Sequence, residues 1–163
     1  MTETLDTFLD DTYGLAKGII YNLKEQKIQK MEFNMSQIFF DFDKKEVVIS
    51  YYYIDPTNFP DVRLSFDELQ LILKQNNTFR SFFSHKNLTT DIKKQILNQL
   101  VKRERVKMVF NKMQLIFDYK KNQVTISNGV DGKKDHYYNN SQNNYYADIV
   151  LSFEELTHKF SSI

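Results

Sequence analysis

The chain has 163 residues, 41% hydrophobic and 15% aromatic, enough apolar side chain for one sizeable core or two small ones and too much for a disordered segment. It contains no cysteine, which excludes disulfides, thiol nucleophiles and cysteine-held metals. Its net charge of +1 conceals an asymmetry: residues 1–80 carry 9 Lys and Arg against 13 Asp and Glu, whereas residues 81–163 carry 13 against 8. Such a distribution predicts either two halves that attract one another or an acidic and a basic face for different partners.

The opening MTETLDTFLDD is acidic and lacks the basic-then-apolar order of a signal peptide. No apolar run approaches the roughly 20 residues of a membrane span, so a cytoplasmic protein is expected. Leu5, Phe8, Leu9, Thr12, Leu15, Ile19, Ile20 and Leu23 recur at helical spacing and predict an amphipathic helix. Gly14 and Gly18 lie inside it and cost helix stability; either they let a neighbouring element approach closely on one side, or the helix divides at Gly14.

A stretch that the chain repeats comes next. Met31–Ser50 (MEFNMSQIFFDFDKKEVVIS) aligns without a gap on Met108–Ser127 (MVFNKMQLIFDYKKNQVTIS), with ten of twenty positions identical at an offset of 77. In the first copy Ile38, Phe40 and Phe42 alternate with polar or outward residues, and Val47, Ile49, Tyr51 and Tyr53 return inward after a polar turn, which predicts a β-hairpin. The second copy keeps the phase with Leu115, Phe117, Tyr119, Val124 and Ile126. Met31 and Phe33, like Met108 and Phe110, have the opposite parity, so a tight turn or bulge is expected at Asn34 and Asn111.

A short strand around Val62–Leu64 leads into Ser65-Phe66-Asp67-Glu68, a capping box at the start of a helix. Asp61–Leu69 (DVRLSFDEL) recurs as Asp148–Leu156 (DIVLSFEEL) at six of nine positions, now at an offset of 87. Between the copies, a cap at Thr89 or Thr90 and a stripe of Ile92, Ile96, Leu97, Leu100 and Val101 predict another amphipathic helix. Repeats of this kind fix the architecture. An α+β fold is therefore expected, an internal tandem duplication of helix, antiparallel sheet and helix over residues 1–85 and 88–163, packed as a pseudo-two-fold pair. The second copy has ten extra residues within a Tyr- and Asn-rich loop, residues 128–147. It reads as a long flexible loop or an extended hairpin arm, and long loops of this kind are usually either functional or disordered.

The candidate chemistry is sparse. His85, His136 and His158 lack the mutual spacing of metal ligands, and neither a metal nor a cofactor is expected. Asp41 and Asp118 occupy equivalent outward positions; they read as exposed residues that help the hairpin turn rather than as a pair for acid–base work. Glu68 and Glu155 are accounted for by capping. Phosphate-cradling loops, nucleophile elbows and catalytic triads are not recognisable, so the chain is expected not to be an enzyme.

Exposed aromatic residues are the clearest remaining signal. Tyr52, Phe59, Tyr137, Tyr138, Tyr145 and Tyr146 form the expected protein interface, because tyrosine is enriched at interaction hot spots. The expected function is a small cytoplasmic inhibitor or immunity or antitoxin-type factor, monomer or homodimer, that sequesters another protein without a membrane partner. The alternative is a nucleic-acid-binding pseudo-dimer that uses exposed aromatics and the basic run Lys102, Arg103, Arg105 and Lys107. The abundance of Asn, Lys, Tyr, Phe and Ile fits an AT-rich coding genome.

Overall fold

In a computed structural model, which describes residues 2–53, 55–128 and 145–162, the Thr2 hydroxyl accepts the Leu5 amide at 3.3 Å and starts α1 (Glu3–Asp11). Gly14, at φ 85°, then divides the predicted helix, and α2 (Ala16–Glu25) follows. A left-handed backbone of this kind strains any residue with a Cβ. The break carries Leu15 to the surface, 52% exposed, instead of into the stripe.

Four strands follow: β1 (Lys30–Glu32), β2 (Ser36–Asp41), β3 (Glu46–Tyr51) and β4 (Val62–Ser65). They form an antiparallel meander in sequence order. The register brings Met31, Ile38, Ile49 and Val62 into one row across the sheet, and Phe40, Val47 and Leu64 into the next. Both rows lie on one face, as the period-two pattern requires. The long helix α3 (Phe66–Phe82) comes next, followed by α4 (Thr90–Lys102), which the Thr89 hydroxyl caps by accepting the Ile92 amide.

The second meander consists of β5 (Lys107–Phe110), β6 (Met113–Asp118), β7 (Gln123–Asn128) and β8 (Ile149–Ser152). Met108, Leu115, Ile126 and Ile149 form its first row, and Phe117, Val124 and Leu151 its second. Each is the counterpart of a residue in the first sheet, so Phe40 and Phe117 hold the same topological position. The helix α5 (Phe153–Ser161) closes the described chain. The protein is thus α+β, with five helices and two four-stranded antiparallel sheets among the described residues, in two similar halves.

The chain divides into the compact units Met1–Asn76 and Asn77–Ile163. The division falls within α3, earlier than the expected boundary at 85/88. The hydrogen bonds explain why. In unit one the Thr4 hydroxyl donates to the Pro60 carbonyl at 2.6 Å; in unit two the Thr78 hydroxyl donates to the Ala147 carbonyl at 2.6 Å. Both threonines are fully buried, as are Phe8 and Phe82 one helical turn further on. The last turns of α3 therefore do for unit two what α1 does for unit one. Its first turns match α5: Leu69 and Leu73 correspond to Leu156 and Phe160, and all four are buried.

Both predicted capping boxes form. Ser65 accepts the Glu68 amide at 3.1 Å and donates its own amide to the Glu68 carboxylate at 2.8 Å; Ser152 and Glu155 repeat the exchange at 3.0 and 3.3 Å. The second parity change is a two-residue turn through Asn111 (φ 45°) and Lys112 (φ 66°), the left-handed pair that suits a tight hairpin. Two buried amides do further stitching. Asn22 accepts the Ile28 amide at 2.9 Å after α2, and Gln99 accepts the Arg105 amide at 3.1 Å after α4.

The core matches the predicted phase at Phe40, Ile49, Phe66, Phe117 and Ile126, all buried. Leu64, Leu151 and Phe153 are only half-buried. The two leucines lie on β4 and β8, which have a neighbouring strand on one side only, and Phe153 sits at the first turn of its helix. Tyr53 is 57% exposed because β3 ends at Tyr51 and the alternation stops there. Leu97 and Val101 are exposed on α4. We expect Phe40→Ala and Phe117→Ala each to cost about 3–5 kcal/mol by leaving a cavity. A denaturant midpoint close to wild type for either variant would contradict the strand phase.

Candidate functional site

The aromatic end of unit one is built where β3 runs out. Tyr51 is half-buried and stacks on Phe59, ring centroids 3.9 Å apart at 14°. Tyr53 packs at 5.8 Å from Tyr51 and 5.5 Å from Tyr52. Tyr52 and Tyr53 are more than half exposed, at 52% and 57%. The four rings therefore form one cluster with a fixed inner pair and two accessible outer members.

The backbone beneath this cluster is tied at several points. The Tyr52 amide donates to the Met35 carbonyl at 2.8 Å, and the Phe59 amide to the Asp55 carbonyl at 2.8 Å. The Asp55 carboxylate accepts the Asn58 amide and side chain at 3.2–3.4 Å. Thr4 holds the Pro60 carbonyl, and Asp11 accepts from the Met35 amide and the Ser36 hydroxyl at 2.8 and 2.7 Å. α1 lies against β2 and β3, so its two ends fasten the segments on which the rings sit. The α1–α2 junction adds Tyr13 and Leu15, both more than half exposed.

In unit two, Tyr145 and Tyr146 are half-buried. The Asn77 side chain donates to the Tyr145 carbonyl at 2.8 Å and Thr78 holds Ala147, which fixes the return from the inserted loop. Tyr137, Tyr138 and His136 lie outside the described residues.

The basic run follows α4. Lys102, Arg103, Arg105 and Lys107 are all exposed. Arg103 is engaged in the fold: it takes the left-handed C-cap position at φ 56°, its guanidinium lies 5.6 Å from the Tyr119 ring and 6.0 Å from that of Phe153, and it donates to the Asn122 side chain. The Tyr119 hydroxyl donates to the Arg105 carbonyl. Burial pushes the Tyr119 phenol above its ordinary value; Arg103 opposes the shift and Glu104 adds to it.

The two repeated carboxylates shape turns. Asp41 accepts the Lys44 amide at 3.0 Å, and Asp118 accepts the Lys120 and Lys121 amides at 3.1 Å each. His85 and His158 are exposed. Among the described residues no group of three or more His, Asp or Glu side chains is placed to hold a metal ion, and no helix is long and apolar enough to cross a membrane.

The structure thus joins Tyr52 to Phe59 through Tyr51 and Tyr53. The sequence reading missed Tyr53 by placing it inside the sheet. It named Gly14 as a place for the helix to divide, but kept Leu15 in the apolar stripe and did not single out Tyr13. Neither a family model nor a curated protein nor a solved structure matches this chain.

Asp11 makes the platform testable as a unit. Asp11→Ala removes the acceptor from two part-buried donors, at a cost of about 1–3 kcal/mol. The expected readout is a lower urea midpoint together with faster amide exchange at Met35. Unchanged exchange there would mean that this carboxylate does not hold the turn.

Proposed function

We propose that the chain is a non-enzymatic, cytoplasmic protein-binding factor, an inhibitor or an immunity or antitoxin-type protein, that sequesters another protein on the aromatic end of unit one. The observation that carries this reading is the Tyr51–Phe59 stack with Tyr52 and Tyr53 exposed beside it on a tied backbone. Tyrosine supplies a large contact area with few rotatable bonds, so docking on it orders little. A platform already fixed in the free protein avoids part of the entropic cost of association. Tyr145 and Tyr146, together with Tyr137 and Tyr138 in the inserted loop, are assigned to the interface that unit two contributes.

Affinity capture from the native host tests the reading with wild type and a Tyr52→Ala/Tyr53→Ala variant. Both positions are exposed, so the variant should unfold at the wild-type midpoint. Wild type is expected to recover one protein in stoichiometric amount, insensitive to nuclease, and the variant to lose at least about tenfold of it. Equal recovery by the variant would overturn the assignment of this interface. Nuclease-sensitive recovery that depends on Lys102, Arg103, Arg105 and Lys107 would replace the reading with nucleic-acid binding.

A further inference from the structure

We draw no further inference here: the strongest candidate, the outward face of the second sheet, where Ile116 and Val150 are exposed in one register row with Thr125 between them and Val109 is exposed in the next, is an apolar patch for which nothing in the structure shows what covers it.

Discussion

A four-stranded meander with one apolar face has to have that face covered, and this constraint shapes both halves of the chain. In unit one Ile38, Phe40, Val47 and Ile49 point to the same side and are buried; in unit two Leu115, Phe117, Val124 and Ile126 do the same. Two hydrophobic rows on one face of a sheet leave apolar area in water unless another layer covers them. Helices from both ends of each repeat supply the cover. That requirement explains α3: its first turns close one repeat with Leu69 and Leu73, and its last turns open the next with Thr78 and Phe82. The buried threonine then fixes where the last strand begins by holding the carbonyl just before it.

The duplication was legible wherever local chemistry repeats at a constant spacing. Strand phase, both capping boxes and the turn-shaping Asp41 and Asp118 depend on neighbours within a few residues, and the offset of 77 or 87 keeps them aligned. The correspondence of α1 with the last turns of α3 escaped notice because its spacing is different. Thr4 and Thr78 are 74 residues apart, and the helices around them share few identities. Asn22 and Gln99 escaped for another reason. They perform one task with side chains of different length, so identity does not reveal them. Tyr53, predicted inward but exposed, and the half-buried Leu64, Leu151 and Phe153 share a physical cause: they stand at the ends or edges of elements, where alternation continues in sequence after the covering layer has stopped.

The candidate site was legible in outline. Tyr52 and Phe59 were identified by residue type, but the feature that makes them a platform is Tyr51, which carries the stack that joins the strand end to the returning loop. The tie between the start of α1 and the loop that carries Phe59 was not legible, because it depends on Thr4 meeting Pro60, a contact 56 residues apart in sequence. The basic run after α4 shows the opposite case. It is conspicuous in sequence, yet Arg103 is engaged in capping a helix, packing on Tyr119 and Phe153, and binding Asn122.

Hydrogen exchange of the chain in complex with its captured protein tests the central functional claim most directly. The account predicts slowed exchange at residues 51–60 and 12–15, with residues 102–107 and 118–122 unchanged. Protection confined to residues 102–107 and 118–122 would contradict it, because the partner would then sit on the basic end of unit two.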